Sequence, residues 1–248
     1  MDPNKIKLES GVQLLARLIK KSKIENFYPV LFKSGPKFGE VIEMFSNISL
    51  STLLIDMICE ALIPIKLGGA QLSILIFKTD GDFNYDALVE CLRKKLEQFK
   101  SLFHETMSNL HILEIYDATQ FYTTMYNLEN IFTEHSDISL IIFDTLTAFY
   151  WSEQGFKITK MDMYLKNVLK VIQEVMKDYK ITVIYTRPEY FNSSKDTNLE
   201  TCVNSNTEGL DYRIQLIFEE GVYKVIVKTS QLSIKRHFII LDNKINWI

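Results

Sequence analysis

The strongest constraint on the fold is a short segment in which every side chain is apolar. Leu140-Ile141-Ile142-Phe143 presents no polar side to solvent, so a strand at this position must be buried on both faces. Similar β-rich apolar runs alternate along the chain with longer segments of helical period. This alternation is typical of parallel strands joined by helices. The sequence therefore predicts an α/β fold with a mainly parallel sheet flanked by helices.

The predicted elements of this core follow from those two periods. The strands are expected at Val41 to Phe45, Ser73 to Lys78, His111 to Tyr116, Ser139 to Asp144 and Ile181 to Thr186. The helices are expected near 50–63, 86–107, 119–134 and 160–179. Asp86 is expected to cap the second helix, because a carboxylate can accept hydrogen bonds from the free amides of the first turn.

The pattern changes after Thr186. Residues 187–209 are polar and predict a long loop. Their net charge of −2 does not favour phosphate binding. Two antiparallel hairpins are expected beyond it, Tyr212 to Glu219 with Val222 to Thr229, and Arg236 to Leu241 with Lys244 to Trp247. A C-terminal antiparallel extension is therefore predicted to follow the parallel core.

Composition and charge narrow the classes of function. Three scattered cysteines and four histidines without ligand spacing predict no metal site. The longest apolar stretch, 48–65, contains Asp56 and Glu60, so no membrane helix is expected, and no secretory leader is expected at the start. The net charge of −3 gives no general support for nucleic-acid binding. Residues 1–38 differ, with eight lysines and arginines against three acids, and predict a basic helical segment before a core of residues 39–248.

Chemistry in such a fold is expected at the carboxyl ends of the strands. The segment Ser46-Asn47-Ile48-Ser49-Leu50-Ser51-Thr52 follows the first strand and contains none of the nine glycines and no lysine. A phosphate-binding loop needs both residue types. Ser51 and Thr52 remain as hydroxyl candidates for a nucleotide, although Ser49 or Ser51 can instead cap the helix.

Two features at other strand ends have alternative interpretations. Asp144 stands where a magnesium-nucleotide site places an acid, and Asp80 stands where a water-activating base would lie, but each can be an ordinary turn residue. The aromatic run 149–151 is predicted in a loop, where it can stack on bases, anchor in the core or contact a partner.

Several of these segments resemble the recombinase-paralogue branch of the RecA family. The matching segments are Glu9-Ser10-Gly11, Leu14-Leu15-Ala16-Arg17-Leu18, Gly39-Glu40, Pro64 with Gly68-Gly69, Thr79-Asp80, Asp144 with Ala148-Phe149-Tyr150-Trp151, and His237-Phe238-Ile239-Ile240. The resemblance implies a RecA-like ATPase-type core and nuclear work in homologous-recombination repair of DNA breaks. It also implies assembly with a D-type recombinase paralogue and its complex, with DNA contacted mainly through the complex.

The resemblance also assigns individual residues. Leu50 stands where the family has the phosphate-loop lysine, Ser51 where it has a hydroxyl residue, and Asp144 matches its metal-side acid. Thr186-Arg187-Pro188 lacks the glutamine that senses the nucleotide in active members. ATP and magnesium binding are therefore expected to be lost or weak, with Ser51, Thr52 and Asp144 as a vestigial site.

Three hypotheses remain from the sequence. The first is a non-catalytic or weakly nucleotide-binding assembly subunit, which contacts its partner through Leu14, Leu15, Arg17 and Leu18 of the basic helix. The second is an ATP-dependent, DNA-stimulated ATPase with a divergent nucleotide site. The third is an unrelated small-molecule enzyme, for which only Asp80, Asp82 and Asp144 offer acidic groups at strand ends.

Overall fold

A computed structural model describes residues 24–33, 35–79, 83–154, 160–176, 179–188, 209–242 and 244–248, with residues 11, 14 and 18. Within these residues, nine strands form one sheet in the order β3-β2-β4-β5-β1-β6-β7-β8-β9. The first six strands pair in parallel, and β7, β8 and β9 continue the sheet as antiparallel strands. The predicted fold class is confirmed.

The bounds of the elements are as follows. The strands are β1 (Val41–Ser46), β2 (Ser73–Lys78), β3 (Leu110–Glu114), β4 (Ile138–Asp144), β5 (Thr182–Pro188), β6 (Tyr212–Glu219), β7 (Val222–Lys228), β8 (Ser233–Leu241) and β9 (Lys244–Trp247). The α-helices are α1 (Ser51–Leu62), α2 (Tyr85–Lys95), α3 (Phe103–Met107), α4 (Ala118–Tyr126), α5 (Leu128–Glu134), α6 (Tyr150–Glu153) and α7 (Met161–Met176). Short 3₁₀ turns span Ile24–Asn26, Ile65–Leu67 and Glu97–Leu102.

The sheet separates two apolar clusters. Successive side chains of a strand point to opposite faces, so Ile142 of β4 packs with α1 and α2, while Ile141 and Phe143 pack with α4, α5 and α7. Every residue of β4 is buried. The all-apolar run therefore lies where the sequence predicts it, in a central strand covered on both sides.

The residues just before β1 belong to the same packing unit as the sheet. Ile24, Phe27 and Leu31 are buried in the cluster formed with α1 and α2. The Tyr28 hydroxyl donates a hydrogen bond to the Asp56 carboxylate of α1. Residues 24–32 are thus held against the sheet, and the division of the chain at residue 38 stays a prediction.

The prediction of one helix over 86–107 is wrong, because three elements occupy these residues. The α-helix ends at Lys95, a 3₁₀ segment follows with non-helical angles at Phe99, and α3 begins at Phe103. The α-helix gives way to the 3₁₀ segment at Leu96, whose side chain is buried. The helix predicted over 119–134 is likewise interrupted, at Asn127.

The cap of α2 also differs from the prediction. The Asn84 side chain accepts a hydrogen bond from the Ala87 amide at 3.1 Å, and Asp86 lies in the first turn. Replacing Asn84 with alanine is expected to lower the free energy of unfolding by about 1 kcal/mol, because this amide loses its acceptor. Urea denaturation measures the change, with Asp86→Asn as the control. A larger loss for Asp86→Asn would return the capping role to Asp86.

Candidate functional site

The candidate site lies at the edge of the sheet where β1, β4 and β5 end. Strand β5 lies between the other two, and its register pairs Pro188 with Ser46 of β1 and Tyr185 with Phe143 of β4. Since neighbouring strands are about 5 Å apart, β1 and β4 are separated by about 10 Å. Ser51 and Thr52 follow β1 and Asp144 ends β4, so they lie at the same edge of the sheet, on strands separated by β5.

The loop after β1 is organised by its own serines. The Ser46 hydroxyl donates to the Leu216 carbonyl at 2.8 Å and accepts from the Ile48 amide at 3.0 Å. Ser49 accepts from the amide of Ser51, the first residue of α1, at 3.2 Å. The N-cap position of α1 is Leu50 and has no side-chain capping bond, so neither Ser49 nor Ser51 is the N-cap; Ser49 instead holds the turn that leads into the helix.

Leu50 is the residue that most changes the character of this loop. It is 8% exposed and packs in the apolar cluster beneath α1. The position where the family resemblance expects a phosphate-binding lysine therefore contributes to the core. Thr52 is exposed and Ser51 is half-buried, so the donors left at the surface are hydroxyl and amide groups without a cation. These residues do not fit the lysine-and-glycine cradle of a phosphate loop.

Asp144 is buried at the end of β4, and its carboxylate accepts hydrogen bonds from two other segments of the chain. One carboxylate oxygen accepts from the Phe83 amide at 2.7 Å and the other accepts from the Thr186 hydroxyl at 3.0 Å. The following peptide bond, to Thr145, is cis, and the Thr145 amide donates to the Thr79 hydroxyl at 2.7 Å. Hydrogen bonds of Asp144 and Thr145 thus link the ends of β2, β4 and β5.

A buried cluster of charges lies beside these strand ends. Arg187 of β5 and Arg213 of β6 each place Nε 2.6 Å from a different carboxylate oxygen of Glu43 on β1. The Tyr185 hydroxyl donates to Glu43 at 3.0 Å. Both guanidinium groups also lie over the Phe45 ring, at 5.4 and 5.8 Å from its centroid.

The charges of this cluster depend on one another. Burial acts to raise the pKa of Glu43. The charges of Arg187 and Arg213 together lower it by more than burial raises it, so the pKa lies below its ordinary value. Burial and the neighbouring Glu43 charge raise the pKa of Tyr185, which stays a neutral donor. Among the described residues, Arg187 Nη1 is buried without a hydrogen-bond partner. The arrangement ties β1, β5 and β6 together through one carboxylate.

The sequence interpretation missed this cluster, although a signal was available. Glu43 stands inside Val41-Ile42-Glu43-Met44-Phe45, and a charge in such an apolar strand must be paired when it is buried. Arg213 lies in a predicted strand, whereas Arg187 lies in the predicted loop that follows Thr186; the structure extends that strand to Pro188, and parallel pairing brings both arginines beside β1.

The aromatic run after β4 divides between core and surface. Tyr150 is buried and its ring lies 5.3 Å from that of Tyr164 on α7, whereas Trp151 is 64% exposed. The run begins the short helix α6, so its prediction as a loop is wrong. Tyr150 has the core-anchor role, and Trp151 presents its ring to solvent.

The remaining predicted residues are two exposed leucines near the N-terminus and several residues outside the described part. Leu14 and Leu18 are helical and 41% and 71% exposed. Leu15, Arg17, Asp80, Asp82 and the loop residues 189–208 lie outside the described residues. Among the residues that the structure covers, no group of three or more histidine, cysteine or acidic side chains is placed to hold a metal ion. No helix of that part is long and apolar enough to span a membrane.

Comparisons with known proteins agree with this architecture. A family model with the description Rad51 matches residues 27–205. The DNA repair protein XRCC2 of Mus musculus is 23% identical over 197 residues, which cover 76% of this chain and 71% of that protein.

Proposed function

Because the chain belongs to the Rad51 family, we propose that it is a subunit of a recombinase-paralogue complex in the homologous-recombination repair of DNA double-strand breaks. The observation that carries the proposal is the family match over residues 27–205, which contain β1 to β5, joined with the similarity to a mouse DNA repair protein. In this proposal the chain works in the nucleus and contacts DNA mainly through the complex.

The second part of the proposal concerns mechanism: the chain acts by assembly and has lost ATP turnover. Phosphoryl transfer depends on a loop that positions the phosphates and neutralises their charge. The loop Ser46 to Thr52 has no lysine, and Leu50 is packed in the core. Asp144 already accepts hydrogen bonds on both oxygens. These features favour a nucleotide edge that has become structural.

The partner in this proposal is the D-type recombinase paralogue, and the contact is the basic N-terminal helix. Leu14 and Leu18 are four residues apart, so they lie on one face of a helix, and both are exposed. Exposed apolar residues at this spacing are the anchors with which a helix docks in an apolar groove. The proposal extends this face to Leu15 and Arg17.

The alternative function is a DNA-stimulated ATPase with a divergent site at Ser51, Thr52 and Asp144. A fluorescent ATP analogue with magnesium separates the two functions. We expect no saturable binding of the analogue by the full chain at millimolar nucleotide, because no lysine or glycine of the loop receives the phosphates. Saturable binding that Thr52→Glu removes would support the alternative.

The repair role is tested in cells that lack the chain, with a reporter that scores recombination at a single nuclease-made break. The unaltered chain is expected to restore repair, and Thr52→Glu is expected to restore it equally, since a carboxylate in the first turn of α1 repels phosphate but suits the helix dipole. Restoration by neither chain would contradict the repair function. Restoration by the unaltered chain alone would contradict the loss of ATP dependence.

A further inference from the structure

A cavity of about 300 Å³ lies between the end of α2, the 3₁₀ segment Glu97–Leu102 and α3. Helix α2 begins after the carboxyl end of β2, and α3 leads back into the start of β3. The cavity therefore lies toward the amino ends of the strands, away from Asp144 and the start of α1. The proposed function assigns no role to this surface.

The cavity has an apolar floor and a cationic rim. Leu96 and Phe103 form the floor, and Arg93, Lys100 and His104 complete the lining. The Arg93 guanidinium lies 5.3 Å from the centroid of the Phe103 ring, and the His104 ring meets the same ring edge-on at 5.8 Å. Arg93 is thus held over the floor by a cation–π contact, which leaves its N–H donors available.

Among the described residues, Arg93 and Lys100 differ from the neighbouring lysines of α2 in forming no ion pair with an acidic side chain. Lys94 pairs with Glu90 at 2.6 Å, and Lys95 pairs with Asp56 and Glu60 at 2.8 and 2.5 Å. Within the part of the chain that the structure describes, neither Arg93 nor Lys100 forms an ion pair. Two cations that have no acidic partner in the described part of the chain therefore line one apolar cavity.

We propose that this cavity, the α2–α3 groove, binds an acidic peptide segment of a partner protein that inserts one aromatic or aliphatic side chain. The floor formed by Leu96 and Phe103 takes the apolar side chain, and Arg93 and Lys100 pair with flanking carboxylates. A nucleic-acid backbone would instead need a row of cations along an extended surface. Here the cations surround a single cavity, and the chain as a whole carries a net charge of −3.

The test begins with random peptides displayed on phage and selected on the immobilised full chain. The selected sequences are expected to share an aromatic or leucine residue flanked by aspartate or glutamate. Fluorescence anisotropy then compares one selected peptide with its anchor-to-alanine version. The double substitution Arg93→Glu and Lys100→Glu is expected to weaken binding of the selected peptide at least about tenfold, because attraction becomes repulsion.

The matched control is Lys94→Glu, which makes the same change of charge one residue away on the same helix. It is expected to change the affinity by less than about threefold, since this lysine already pairs with Glu90. Lys100→Ala gives a milder variant, and thermal melting verifies that each variant is folded.

Three outcomes would overturn the proposal. One is a selection without enrichment of acidic residues, and another is equal weakening by Lys94→Glu and by the double variant. The third uses labelled oligothymidine as a probe: loss of its binding in the double variant, with no competition by the acidic peptide, would assign the groove to nucleic acid.

Discussion

Replacing Glu43 with glutamine is expected to lower the free energy of unfolding by about 3–5 kcal/mol. The change removes the negative charge that pairs with Arg187. Because Arg187 is 3% exposed, water does not solvate its charge instead. It also leaves Arg213 with a neutral partner on the adjacent strand. Because Glu43 joins β1 to β5 and β6, the loss acts at the centre of the sheet. Urea denaturation followed by circular dichroism measures it.

The matched control is Glu114→Gln, which breaks a similar ion pair at the surface. Lys78 lies 2.9 Å from Glu114, with both side chains exposed by a third or more. Solvent screens an exposed ion pair and leaves it little net effect on stability, so this variant is expected to unfold near the unaltered chain. Similar losses for the two variants would contradict the importance of burial. In contrast, the triple change of Glu43, Arg187 and Arg213 to leucine or methionine is expected to recover much of the stability, since it leaves no buried charge unpaired.

The same cluster predicts a dependence of stability on pH. Burial acts to raise the pKa of Glu43, but the two arginines together lower it by more. The pKa in the folded chain therefore lies below the pKa in the unfolded chain. The carboxylate therefore contributes its full stability above the unfolded pKa of about 4.3, and the contribution is lost as the pH falls through the folded value. In Glu43→Gln this part of the acid dependence is expected to disappear. An unchanged acid profile in the variant would contradict the lowered pKa.

The sequence predicted strands well where the local pattern alone determines them. The bounds of β2, β6 and β9 match the prediction, because each is an apolar or alternating run between turn residues. The family resemblance carried by the runs at Gly39-Glu40 and at 148–151 is confirmed by the Rad51 match. The order of the strands follows no local rule, since β4 and β5 insert between β2 and β1.

The sequence predicted less where distant residues decide the outcome. The break after Lys95 depends on Leu96 turning into the core, and helical period continues across it in the sequence. The absence of a cation from the loop Ser46 to Thr52 is visible in the sequence, but the burial of Leu50 beneath α1 is not. The cluster of Glu43, Arg187 and Arg213 joins residues up to 170 positions apart, so no window of sequence contains it. The candidate site was therefore predictable as a place in the fold, while its chemistry required the structure.

Leu14→Glu combined with Leu18→Glu is expected to abolish co-purification with the D-type recombinase paralogue. Leu14 and Leu18 are 41% and 71% exposed. Contact of these apolar side chains with water is unfavourable in the unbound chain. In the proposed complex they are buried in the partner, where truncation of a central anchor costs about 2 kcal/mol or more and a carboxylate adds a desolvation cost. Co-expression with a tagged partner, followed by affinity purification, measures the loss.

The design of this experiment separates docking from folding. Leu232→Glu combined with Leu241→Glu makes the same chemical change at residues that are 57% and 55% exposed, just before β8 and at its last residue. Surface substitutions alter stability by only about 0.5 kcal/mol, so both double variants are expected to melt near the unaltered chain. Retention of the partner by the Leu14 and Leu18 variant would place the interface elsewhere. Equal loss in both variants would mean that added negative charge, rather than the N-terminal leucine face, governs assembly.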